Sequence, residues 1–257
     1  MKKGFVVWLV VLMIFSGCDK VKSGSADTGT SSEGETPGRF NLSDAISDVI
    51  SDPVFGDCGR LLFPTNDRYM SGDTLEDLQL TWYNNIDPNE TVEIVNTLWQ
   101  RANDGETIFY DIYTDEEKAE DPEKEDTGLF FFKGEPNEKF AVCNAGGGFA
   151  YVGAMQDSFP HALELSKQGY NAFALIYRPG AQTACEDLAR AISFIFENAE
   201  ELEVDTDCYS LWGGSAGARM AAWLGSYGTA AYGGDDLPRP SAVIMQYTCL
   251  LYTSPSP

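Results

Sequence analysis

The order of apolar and polar positions divides the chain before any single residue is considered. Residues 4–15 form an unbroken apolar run behind Lys2 and Lys3, too short to span a bilayer and of the length expected for the core of a secretory signal. Residues 19–38 are mostly Ser, Gly, Thr, Asp and Glu. Such a stretch cannot bury enough surface to offset its ordering entropy, which predicts a flexible tether. Further on, Asp87-Pro88-Asn89-Glu90 offers an N-cap, a proline at the first helical position and a glutamate three after the cap. Ile94, Val95, Leu98 and Trp99 then share one face and Gly105 supplies a stop, so an amphipathic helix is expected there.

From Thr107 the period changes. Residues 107–113 and 128–132 read as strands around an acidic loop at 115–126. Strand and helix signals then alternate: a strand at 140–143, a helix at 160–167 closed by Gly169, and a strand at 172–177. A helix carries Leu188, Ala191, Ile192, Ile195, Phe196 and Ala199, followed by a strand at 209–212, a helix at 216–224 and a strand at 242–247. Short continuous apolar strands between amphipathic helices predict an α/β fold with a mostly parallel sheet covered on both faces. The expected divisions are a signal segment at 1–17, a tether at 18–39, an accessory segment at 40–106, an α/β domain at 107–248 and a tail at 249–257.

Composition narrows the partners. A formal charge of −23, more negative still once Lys2 and Lys3 leave with the signal, argues against nucleic acid and against an anionic membrane surface. Phe15-Ser16-Gly17-Cys18 resembles a bacterial lipobox, in which the cysteine is lipidated and becomes the new N-terminus. A lipid on Cys18 followed by a tether would hold a globular domain away from the outside of a membrane, so a secreted cell-envelope lipoprotein is expected. Of the other cysteines, Cys58, Cys143, Cys185 and Cys208 read as small buried apolar residues, with a disulfide between two of them left open because spacing alone cannot choose a pair, and Cys249 lies in the tail.

The chemistry-bearing motif is Gly213-Gly214-Ser215-Ala216-Gly217, set between a buried strand and a helix. In that context Gly-x-Ser-x-Gly displays its serine on a tight, strained turn, with glycines leaving room for strand and helix to approach. The helix that follows aims its N–H groups and positive dipole end at the serine oxygen. Upstream, Cys143-Asn144-Ala145-Gly146-Gly147-Gly148-Phe149 follows the strand that would be third in the sheet. Consecutive glycines there can turn backbone N–H groups toward a tetrahedral oxyanion. The expected donors are Gly147 or Gly148 together with Ala216. No cofactor and no metal are called for.

These motifs, with Leu175-Ile176-Tyr177-Arg178 and Asp187-Leu188-Ala189-Arg190-Ala191, resemble the α/β-hydrolase esterases, in particular the acetylxylan- and feruloyl-esterase-like branch. The likeness covers about 107–248, with Ala145 where many relatives carry histidine or proline. It implies an α/β-hydrolase fold and a serine carboxylic-ester hydrolase with Ser215 as nucleophile. It also implies small esters or acylated polysaccharide as substrates, and Arg178 and Asp187 as supports for the active-site end of the sheet. A serine peptidase of the same fold, or a lipid-anchored surface binding protein without catalysis, are the alternatives.

A serine alcohol needs a base, and in this fold the order is Ser, Asp or Glu, then His. The single histidine, His161, precedes Ser215 and falls in the first turn of a helix, which suits a helix-start or rim residue better than the base. The last nine residues, Cys249-Leu250-Leu251-Tyr252-Thr253-Ser254-Pro255-Ser256-Pro257, read like a translated sequencing adapter. On that reading native sequence stops near Thr248, and the acid and base belong to sequence not included here. Ending there would leave a parallel strand at the sheet edge and apolar faces uncovered. Residues 40–248 are therefore expected to aggregate or stay partly unfolded; a soluble monomer that melts cooperatively would contradict this.

Overall fold

The computed structural model describes residues 38–248. The signal segment, Cys18, nearly all of the tether and the tail at 249–257 lie outside the described residues.

The N-terminal segment holds α1 (Ile46–Ile50), a small antiparallel pair of β1 (Met70–Ser71) and β2 (Gln79–Leu80), and α2 (Pro88–Asn103). The long helix begins as its sequence requires. The Asp87 carboxylate accepts from the Asn89 N–H at 2.9 Å, and Pro88 stands where no N–H is needed. Thr91, Ile94, Val95 and Leu98 are buried, and the half-buried Trp99 donates from Nε1 to Asp52 Oδ1 at 3.2 Å. Gly105, at φ 86, lets the chain turn off, its N–H reaching the Ala102 carbonyl at 3.0 Å.

The strand expected over 107–113 shortens to β3 (Phe109–Tyr110). Its far end is drawn away from the sheet: the Ile112 carbonyl accepts from Arg190 Nε at 2.8 Å and the Tyr113 hydroxyl donates to Asp187 at 2.6 Å. The acidic stretch is not a plain loop either. It contains α3 (Asp115–Glu120), where Thr114 and Glu117 cap each other's backbone N–H, followed by a 3₁₀ turn at Pro122–Asp126. Beyond it run β4 (Gly128–Phe132), β5 (Glu138–Asn144), α4 (Ser158–Lys167), β6 (Asn171–Ile176), α5 (Ala181–Glu197), α6 (Ala199–Leu202), β7 (Val204–Gly214), α7 (Ser215–Tyr227) and β8 (Ala242–Gln246).

The main sheet has the order β3-β4-β6-β5-β7-β8. Strands β5 to β8 are parallel, and β3 and β4 run antiparallel to their neighbours. With helices on both faces, this is the expected α/β architecture around a mostly parallel sheet. Alternation along each strand feeds two cores. Phe130, Phe132, Cys143, Ala172 and Ala174 point to one core, where Ile94, Leu98, Phe159 and Leu163 of α2 and α4 cover them. Leu129, Phe131, Val142, Phe173 and Leu211 point to the other, under Leu188, Ile192, Met220 and Leu224 of α5 and α7. Both faces of β4 are consequently buried, which is why it reads as a continuous apolar run. At the β8 edge, Val243 and Met245 remain exposed, as does Tyr227 at the end of α7.

The described cysteines are free thiols. Cys143 and Cys185 are buried, while Cys58 and Cys208 are half-buried. Burial pushes the Cys58 thiol up to about 11 and that of Cys185 up to about 12, so neither is a thiolate at neutral pH. Among the described residues, no helix is long and apolar enough to cross a membrane.

One ion pair fixes the carboxyl end of β6. The Arg178 backbone N–H donates to Asp187 Oδ2 at 2.7 Å, and its guanidinium donates to Asp187 Oδ1 at 2.7 Å and to Asp121 Oδ2 at 2.5 Å. Asp187 is fully buried and also accepts from Tyr113. Replacing Asp187 by Ala strands a guanidinium without its buried partner, so Asp187→Ala is expected to lower stability by about 3–5 kcal/mol in urea unfolding of the full-length protein. A loss below about 1 kcal/mol would mean the pair is not structurally required.

Candidate active site

Ser215 stands where β7 ends and α7 begins, with φ 50. A serine in the left-handed region is uncommon, and here the surroundings hold it there. A Cβ on Gly213 would strike the backbone of Gly217, and one on Gly217 would strike the Asn144 carbonyl. Strand, helix and the end of β5 therefore approach as closely as their backbones allow. Asn144 adds a tie, donating from Nδ2 to the Trp212 carbonyl at 2.9 Å. Ala216 is buried in the first turn of α7, where N–H groups have no intrahelical acceptor, and Gly214 offers no side-chain cap.

The glycine loop lies beside this bend. Gly147 (φ 126) and Gly148 (φ 65) both take conformations that suit glycine. Among the described residues, the N–H groups of Gly147 and Gly148 donate to no partner, and Gly146 alone of the three donates, to Asp157 Oδ2 at 2.6 Å. The loop is held by its carbonyls, with Gly153 N–H on Gly146 at 3.0 Å and Ala150 N–H on Gly147 at 3.0 Å. A cavity of about 270 Å³ is lined by Trp82, Tyr83, Gly147, Gly148, Ser215 and Tyr247. The structure thus brings Ser215, Gly147 and Gly148 to one small pocket, with Ala216 directly behind the serine.

Asp157 was not legible as a site residue from the sequence. It is buried, and its Oδ2 accepts from Gly146 N–H, from the Tyr83 hydroxyl at 3.0 Å and from the Tyr247 hydroxyl. Tyr83 arrives from the N-terminal segment and Tyr247 from just beyond β8. Burial, and next the charge of Asp157, pushes both phenols well above the usual tyrosine range, so both stay protonated donors. Only the local sequence Asp157-Ser158, just before a helix, hinted at a special aspartate, and that signal reads first as an N-cap.

His161 sits on α4 with both ring nitrogens engaged. Nδ1 meets the Asp157 carbonyl, which can only accept, so Nδ1 carries the proton and Nε2 accepts from Gln246 at 2.7 Å. The ring also lies 6.2 Å from that of Trp212.

Trp82 completes the rim. It occupies the third position of a tight turn closed by Tyr83 N–H on the Leu80 carbonyl at 3.1 Å, with φ 74. Glycine or asparagine is the ordinary choice there. A bulky residue in that conformation costs on the order of 1–3 kcal/mol. Trp82 and Tyr83 bring the accessory segment at 40–106 into the lining of the serine pocket.

Residues 133–237 match the BD-FAE family. That is an α/β-hydrolase esterase family, and the matched stretch contains the glycine loop, Asp157 and the Ser215 bend. Solved structures similar to the chain include apo Thermogutta terrifontis esterase 2, at 23% identity and TM-score 0.45 over 51% of this chain and 53% of that one. Another is MGS-M1, an α/β hydrolase from a Medee basin deep-sea metagenome library, at 24% identity and TM-score 0.41 over 50% of this chain and 55% of that one. The chain spans about half the length of these structures. Among curated proteins none matches.

Asp157→Ala would leave three donors facing an emptied buried site. The expected loss is about 1–3 kcal/mol in urea unfolding of the full-length protein, with faster hydrogen exchange at the Gly146 amide. Unchanged exchange at Gly146 would show that the loop does not depend on this carboxylate.

Proposed function

We propose that the full-length protein is a serine carboxylic-ester hydrolase. The Ser215 oxygen attacks the ester carbonyl, and the charge that develops on the carbonyl oxygen is taken up by N–H groups of Gly147 or Gly148 and of Ala216. The alcohol leaves, and water releases the acyl group from Ser215 in a second addition and collapse. The observation that carries this reading is Ser215 at φ 50 in one pocket with two glycines whose N–H groups donate to no partner among the described residues. Likeness of residues 133–237 to an esterase family supports the same reaction class.

Substrates in this reading are acetyl, feruloyl or other small esters of polysaccharide. The base and its acid are residues of the full-length protein outside these 257, since the one imidazole here is engaged by Asp157 and Gln246. The 257-residue chain alone is then inactive. The protein works outside the cytoplasm, anchored through Cys18, and binds no nucleic acid. The engaged state of His161 also favours a second reading, a surface binding protein that keeps the fold without catalysis.

A fluorophosphonate probe and p-nitrophenyl acetate decide between them. The full-length protein should be labelled and turn over the ester, and Ser215→Ala should abolish labelling and lower kcat by about 10³-fold or more. Equal labelling of Ser215→Ala, or none of the full-length protein, rejects the hydrolase. Preference for aminoacyl amides over esters would make it a peptidase.

A further inference from the structure

Trp82 is 64% exposed and yet keeps a backbone conformation that disfavours its side chain. Stability gains little from such a residue, so its ring has another use. The ring is also placed with care: a Cβ on Gly148 would lie 3.0 Å from its Cζ3, so the indole rests on the glycine loop beside Ser215. Its centroid lies 5.8 Å from Tyr151 and 6.3 Å from Tyr69, and those two tyrosines stack at 4.6 Å. The Tyr151 hydroxyl donates to the Thr81 carbonyl and Thr81 N–H to the Tyr69 carbonyl at 2.9 Å, which locks the three rings into one wall. Across the wall is a second cavity of about 350 Å³, lined by Tyr69 and Tyr151 and by the polar side chains of Thr65, Asn66, Arg68, Glu123 and Asp126.

We propose that this wall is a carbohydrate subsite, in which a neutral sugar ring stacks on Trp82 and the next unit of the glycan reaches the polar cavity. A flat aromatic face beside mixed donors and acceptors matches a sugar, whose ring offers C–H groups on its faces and hydroxyls around its edge. Arg68 and Asp126 are already held by Tyr69 and Arg60, and Asn66 caps the Arg68 N–H. The groups facing this cavity for a sugar are therefore chiefly the Thr65 hydroxyl and the Glu123 carboxylate, which an aromatic acyl group would stack beside but could not donate to. An anionic glycan is disfavoured by the net charge of −23. The assignment of this sugar as the alcohol side of an ester rests on the reading of Ser215 given above; binding of the sugar does not.

The test is calorimetric titration of the full-length protein with cellotetraose and xylotetraose, with methyl ferulate and trigalacturonate in parallel. At least one neutral tetrasaccharide should bind, Trp82→Gly should weaken it about tenfold, and Trp82→Tyr should restore most of the affinity. Trp82→Gly should melt at the same temperature or higher, because glycine relieves the turn. Ser215→Ala should bind like wild type, so a failed hydrolase reading and a failed subsite give different results. The proposal is overturned if neither neutral sugar binds, if Trp82→Gly binds as wild type, or if only methyl ferulate or trigalacturonate shows the Trp82 dependence.

Discussion

The arrangement of this molecule depends on one close approach, that of the Gly217 backbone to the Asn144 carbonyl. It lets the first turn of α7 sit directly against the end of β5, and only then can β7 pass into α7 through a single left-handed residue, Ser215. Side chains would hold the two elements apart. With glycine at 213 and 217 the serine is the first side chain beyond the contact, and it faces the glycine loop leaving β5. The geometry is thus a result of missing atoms as much as of present ones.

Around that contact the fold supplies rigidity from two directions. Arg178 and Asp187 pin the end of β6 and draw in Tyr113 and Asp121, so the acidic stretch becomes a folded buttress. Such a buried pair gives position more than net stability, since desolvation offsets much of its attraction. On the other side Asp157 holds the glycine loop from beneath, with Tyr83 and Tyr247 completing its shell.

The sheet was largely readable from the sequence because its strands are apolar on both faces and its helices carry clean 3.6-residue stripes, as in Leu188, Ile192 and Ile195. The serine bend and the glycine loop were readable because each needs glycine at fixed offsets. The strand at 107–113 was overestimated because Arg190 and Asp187, distant in sequence, capture its last residues. The helix in the acidic stretch was missed although Thr114-x-x-Glu117 announced it; the density of like charge masked a valid cap. Asp157 and Tyr83 were beyond reach, since their roles arise only when segments 74 to 90 residues apart meet, and so was Trp82, which meets the glycine loop only in the folded chain.

That distance also governs when the pocket can exist. Asp157 meets Gly146 across 11 residues but Tyr83 across 74 and Tyr247 across 90. Contacts that close long loops form late, after their closure entropy has been met by the rest of the fold. Secondary structure and much of both cores can therefore be in place while the carboxylate is still hydrated and the glycine loop unset. During refolding, a signal from the serine pocket should lag behind one from the helices, which makes the pocket the last part of the chain to mature.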